Sequence, residues 1–97
     1  MLLRIRWSRP SLRRLDEIGT YISAENPEAA SRVVTRIMSC AERLAEFPEL
    51  VRIGRVPNTR ELPVLPFPYL LVYRNSAETI DIVTIIHGAR LWPPRQP

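Results

Sequence analysis

The segment from Tyr69 to His87 constrains the fold most. YLLVYR (69–74) and TIDIVTIIH (79–87) flank a short polar turn, NSAE, and are apolar at nearly every position. Runs of strand length, rich in Ile, Val and Tyr and split by a turn, pair as a hairpin. A strand wet on one side alternates apolar with polar residues. These two do not, which implies cover on both faces. One layer of cover is a helical pair, and something else must shield the second face.

The upstream sequence supplies that pair. LLRIRW (2–7) sets Leu3, Ile5 and Trp7 against Arg4 and Arg6, the period of a half-buried strand. Ser8 is placed to cap a helix with Pro10 in its first turn, where a missing N–H does no harm. In that helix Leu12, Leu15, Ile18 and Ile22 form an apolar stripe opposite Arg9, Arg13, Glu17 and Thr20. ENPEAA stops and restarts the helix: Asn26 caps, Pro27 takes the first position, and Glu28 suits the positive end of the dipole. Ala30, Val33 or Val34, Ile37, Ala41 and Leu44 make a second stripe that ends at Phe47-Pro48. The short joint predicts an antiparallel helical hairpin.

From Glu49 to Thr59 the pattern is lost, and Gly54, Pro57 and Asn58 read as loop. TRELPVL (59–65) is a strand whose Pro63 cannot donate to a ladder and so belongs at an edge or bulge. Pro66 and Pro68 make a stiff bend before the apolar hairpin. The order β-α-α-β-β-β predicts a single α+β domain over 1–97. In it, an antiparallel helical hairpin packs on one face of a mostly antiparallel four-stranded sheet.

Composition narrows the function. No apolar run approaches the roughly 20 residues of a membrane span. Arginines interrupt the apolar residues of MLLRIRWSRP, which does not read as a signal peptide, so the cytoplasm is the expected compartment. The single Cys40 excludes an internal disulfide and any multi-cysteine metal site, and reads as a small core residue. All fourteen basic residues are arginines and the net charge is +4. The all-arginine usage reads first as the codon bias of a GC-rich genome. Its physical consequence is a set of groups that clamp phosphate or carboxylate and never act as bases, so an acidic partner is expected: nucleic acid, or an acidic protein surface.

His87, the only histidine, stands where the last strand ends, three residues before Arg90. Its unperturbed pKa near 6.5 suits proton transfer, but a lone histidine there equally serves as a local anchor. Arg60 opens one strand, Arg74 lies at the end of another, and Arg90 follows the last. Converging strand ends would make the three a phosphate clamp. Separately, each pairs with Glu61, Glu78 or Asp81 on a solvated surface, at about 0–1 kcal/mol per pair. Arg32, Arg36 and Arg43 share a helix face that reads as solvated and pair-stabilised. Tyr69 and Tyr73 have one parity and belong to a packed face. No glycine-rich phosphate loop, metal-ligand spacing, cofactor motif or Ser-His-Asp order is present.

The ordered series NPEAA (26–30), TREL (59–62), PYLLVYR (68–74) and HGARLWP (87–93) resembles the RelE/ParE toxin family, its ParE branch in particular, from Trp7 to Pro93. The resemblance implies the toxin of a type II toxin–antitoxin module. Its cognate antitoxin would be ParD-like and bind through a flexible acidic segment. RelE-like members cleave mRNA on the ribosome with basic residues plus an acid or base on the sheet. ParE-like members poison DNA gyrase and are not nucleases. A chain without lysine lacks one RelE-type set of helpers, so the first expectation is a gyrase toxin rather than an enzyme. The alternative is a metal-independent, ribosome-dependent endoribonuclease using His87, Arg60, Arg74 and Arg90. A third reading is an inert interaction module. On the first reading His87 anchors, Gly88 turns, and Arg60, Arg74, Arg90 and Trp92 bind a partner.

Overall fold

A computed structural model describes residues 2–49 and 53–88. The element order is β1 (Arg4–Trp7), α1 (Arg9–Ser23), α2 (Pro27–Glu46), β2 (Arg60–Pro63), β3 (Tyr69–Asn75) and β4 (Thr79–His87). Two helices pack on one face of a four-stranded mixed sheet of order β1-β4-β3-β2.

Both helices begin where their caps dictate. The Ser8 hydroxyl accepts the Ser11 N–H at 3.1 Å, and the Asn26 side chain accepts that of Ala29 at 3.0 Å. Each helix has a proline in its first turn, and α2 adds Glu28 at its start and Arg43 at its end, matching the dipole. Helix α2 buries Ala30, Val33, Ile37, Cys40, Ala41, Leu44 and Ala45. Val33, not Val34, takes the core position. Helix α1 differs from the expected stripe: Leu12 is 50% exposed, while Ser11 and Ile18 are buried. The face turned to the sheet is Ser11, Arg14, Leu15, Ile18 and Ile22, because the start of α1 lies against β4 through polar contacts. Leu12 instead lines a shallow groove between the helices with Leu15, Gly19 and Val34.

Strands β2, β3 and β4 form an antiparallel meander, and β1 joins its far side parallel to β4, from Arg4↔Thr79 to Trp7↔Ile82. Pro63 lies on an edge strand, as its missing N–H requires. The inner face gathers Ile5, Trp7, Leu62, Leu71, Tyr73, Ile80, Ile82 and Ile85 against Ile18, Val33, Ile37 and Leu44. Each fully buried Leu or Ile there contributes about 1.5–3 kcal/mol. Between β3 and β4 the register passes from Val72↔Thr84 to Tyr73↔Ile82, so Val83 has no partner across that ladder. This is a β-bulge.

Strand β4 outruns β1 by five residues, since their pairing stops at Ile82 and β4 runs to His87. Helix α1 covers the open edge. The Ser8 hydroxyl donates to the Val83 carbonyl at 3.0 Å, and Arg14 Nε donates to the Ile85 carbonyl at 3.1 Å. The second face of the hairpin is shielded too: Val72 and Ile86 are buried there. On the same face the loop 53–59 is tied to Glu61, whose carboxylate accepts the Arg55 N–H. The loop closes on itself through Gly54 N–H to Thr59 O at 2.6 Å and Thr59 Oγ1 to Val56 O at 2.6 Å. Asn58 adopts φ 64°, a left-handed conformation that asparagine tolerates better than most residues.

Tyr73 connects the layers by donating its hydroxyl to the Pro48 carbonyl, just past α2, at 2.9 Å. Burial pushes its phenol up to about 12.

Ser8→Ala is expected to lower stability by about 2 kcal/mol, because a cap and the partner of a strand carbonyl go together. The shift in urea midpoint at constant slope measures it; a loss under half that figure would show the two roles are not shared. Tyr73→Phe is expected to cost about 1 kcal/mol at neutral pH. The unfolded tyrosine ionises near 10.0 and the folded one near 12. The wild type's advantage is therefore complete below pH 10 and lost as pH rises toward 12. Stability curves of the two proteins over that window check the sign.

Candidate functional site

His87 closes β4 on the face turned to the helices. It is paired in register with Tyr69, the ring centroids 5.5 Å apart and the planes at 84°. Edge-to-face packing of this kind holds an imidazole ring in place. The next residue continues the clasp, with Gly88 N–H donating to the Pro68 carbonyl at 2.7 Å. Arg90 and Trp92 lie outside the described residues.

Arg60 lies in the row of Tyr73, on the same inner face, at the opposite end of the strands. Four residues of β3 separate the Tyr73 row from the Tyr69 row, about 13 Å. Arg60 borders a polar hollow of about 310 Å³ with Ile53, Asn58, Thr59 and Asn75. Arg74 follows Tyr73 and so points from the outer face, where its register partner is Asp81. The sheet thus sets His87, Arg60 and Arg74 at two ends and on two faces. General acid–base catalysis needs its groups within about 3 Å of the proton they move, or one water away. These three do not share such a spot.

The outer face has its own ion pair. Arg6 Nε donates to Asp81 Oδ1 at 2.6 Å, and Thr79 Oγ1 to Asp81 Oδ2 at 3.4 Å. The Arg6 hydrogen bond is foremost in holding the Asp81 carboxyl below its ordinary range, with the Thr79 bond and the Arg74 charge adding to it. Asp81 in turn raises the Arg6 guanidinium. The alternation of LLRIRW contains this signal, since Arg4 and Arg6 must share the face opposite Ile5.

Glu61 departs from the expectation of a solvated pairing partner. It is fully buried beneath the outer face, in register with Val72. Its carboxylate accepts the Arg55 N–H at 2.9 Å and stands 3.4 Å from Arg55 Nε. Its neighbours on this part of the outer face are Pro63, Leu70, Val72, Thr84 and Ile86, a mostly apolar set.

A second hollow, about 190 Å³, runs between α2 and the edge strand β2. Its floor is Cys40, Leu44, Leu62, Pro63 and Leu65, and Arg36 and Arg43 stand on its rim. Arg36 Nε donates to the Leu65 carbonyl at 2.8 Å, which fixes the guanidinium over the groove. Burial raises the Cys40 thiol, and the two arginines offset this only in part. Two of the three helix arginines expected on a plain solvated face therefore frame an apolar slot, and Arg32 stays exposed. Among the described residues no three His, Cys, Asp or Glu side chains come together to hold a metal ion, and no helix is long and apolar enough to cross a membrane.

Known proteins resemble this chain in sequence and in fold. The toxin named Y4kP of Sinorhizobium fredii is 48% identical over 90 residues, covering 93% of each chain. The toxin named RelE2 of Caulobacter vibrioides is 37% identical over 90 residues, 93% of this chain and all of that one. A solved structure of the chromosomal ParDE system of P. aeruginosa superposes with a TM-score of 0.78 at 25% identity, over 89% of this chain and 96% of that chain. One of the RelBE2 toxin–antitoxin complex of Mycobacterium tuberculosis gives 0.62 at 20% identity, over 90% and 99%. Residues 5–92 match the family described as the ParE toxin of the type II toxin–antitoxin system parDE, and the chain belongs to that family.

Proposed function

We propose that the protein inhibits DNA gyrase by binding it, and that a cognate antitoxin neutralises it by occupying the groove between α2 and β2. The observation that carries the first half is the dispersal of His87, Arg60 and Arg74 over two ends and two faces of the sheet. A nuclease must gather a proton-transfer group and phosphate-stabilising cations about one phosphate. A toxin that acts by binding has no such requirement, and His87 packed edge-on to Tyr69 then serves as the anchor of a strand end. Ribosome-dependent mRNA cleavage is the competing reading, favoured by the relative named RelE2. A shared fold alone does not choose between them.

Charge supports the second half. The α2–β2 groove couples an apolar floor to two arginines, whereas the groove between the helices carries Asp16 and no cation. An acidic amphipathic segment is complementary to the former and repelled by the latter. The antitoxin-containing systems among the structural neighbours fit a partner of this kind.

In supercoiling and DNA-cleavage assays with purified gyrase, excess toxin is expected to block supercoiling and accumulate cleaved DNA. His87→Ala is expected to retain that effect to within about threefold, a change of under 1 kcal/mol. No effect on gyrase, with codon-linked cuts in mRNA from induced cells that His87→Ala abolishes, would establish the nuclease instead. Reversing the rim charges, Arg36→Glu with Arg43→Glu, is expected to weaken antitoxin binding at least tenfold, about 1.4 kcal/mol. Arg32→Glu, away from the groove, should leave it unchanged. Equal losses from both would place the antitoxin elsewhere.

A further inference from the structure

The charge of the molecule is divided unevenly along its sequence. Residues 8–49, which hold both helices, contain six arginines and seven carboxylates, while the rest of the chain contains eight arginines and three carboxylates. In sequence, the net positive charge therefore comes from outside residues 8–49. Three of those arginines, Arg4, Arg6 and Arg74, are exposed and share the outer face of the sheet. Arg6, Asp81 and Arg74 form one row across β1, β4 and β3. Two strand spacings put the Arg6 and Arg74 backbones about 10 Å apart, and Arg4 stands about 7 Å along β1 from Arg6. Asp81 neutralises one charge of the three and fixes Arg6 through the 2.6 Å hydrogen bond. The Thr79 and Ser76 hydroxyls, 2.9 Å apart, border the row.

We propose that this arginine face binds the phosphate backbone of duplex DNA without regard to sequence. What the face lacks decides the class of partner. Single-stranded nucleic acid is held largely by stacking on aromatic side chains. Among the described residues the sheet aromatics Trp7, Tyr69 and Tyr73 all lie on the inner face. An amphipathic protein segment needs an apolar anchor. The Arg6–Asp81–Arg74 row has none, in contrast to the α2–β2 groove. Cations spaced along the face of a sheet, one of them held by Asp81, suit a regular array of phosphates, as in backbone-only DNA contacts. This goes beyond the gyrase reading and does not rest on it, since the DNA is tested without gyrase.

The test is fluorescence anisotropy of the full chain with a labelled duplex of about 20 base pairs, from about 50 to 200 mM salt. The plot of log affinity against log salt is expected to slope at about −2 to −3, close to −0.9 per phosphate engaged. Arg4→Ser and Arg74→Ser should each flatten it by about 1. Arg32→Ser makes the same change in net charge on the helical layer and should leave it unaltered. Asp81→Asn should act in the opposite direction and tighten binding. The proposal is overturned by an absence of binding at the lowest salt, or by equal losses from Arg32→Ser and Arg74→Ser. Tighter binding to the single strand, or displacement by polyglutamate as readily as by unlabelled duplex, also overturns it. Circular dichroism of each variant separates a binding effect from a folding one.

Discussion

Ser8 belongs to the helix and the sheet at once, and much of the architecture depends on that sharing. Its oxygen takes the N–H of Ser11 and its proton goes to the carbonyl of Val83. A strand carbonyl left without partner or water costs about 1–3 kcal/mol. Because β1 is short, β4 would expose several such groups on the flank next to α1. Ser8 and Arg14 together close that flank, which fixes where α1 starts and how it lies over the sheet. The rest of the helical hairpin then has little freedom, since Ile18, Val33, Ile37 and Leu44 must meet the inner face that β4 centres.

The two faces of the sheet consequently have different chemistry. The inner face is a hydrophobic core with the Tyr73 hydroxyl as its polar tie. The outer face divides into a sequestered part around Glu61 and a solvated, cationic part around Arg6 and Arg74. A slot with an arginine rim and an arginine-bearing sheet face are physically different surfaces.

Local features were legible in the sequence because their physics is local. Caps at Ser8 and Asn26, proline at each helix start, the stripe of α2, the edge position of Pro63 and the apolar hairpin all follow from a few neighbouring residues. Long-range consequences were not. That β1 would lie beside β4 rather than β2 depends on contacts more than seventy residues apart. The lean of α1 toward Ser11 and Arg14, at the expense of Leu12, depends on a strand edge that periodicity does not register. Arg60 and Arg74 read as one group at matching strand ends. Their faces are set by cross-strand register, which places Arg60 opposite Tyr73 and leaves Arg74 one residue further on. Glu61 read as a surface residue because nothing nearby in the sequence announces that Arg55 will fold back over it.

The bulge at Val83 has a further meaning. Strand β4 carries one residue more than its ladder with β3 requires, so the inward positions run Ile80, Ile82, Ile85, His87 instead of keeping to even numbers. If the ladder ran on past Ile82 without the bulge, Val83 would pair with Val72 and the strand's second half would turn over. Ile85 would lose the core, and the imidazole would emerge on the side of Glu61 and Arg74. The bulge thus resets the parity of the strand between Ile82 and Thr84. It decides whether the only histidine is packing material or a group presented to the outside.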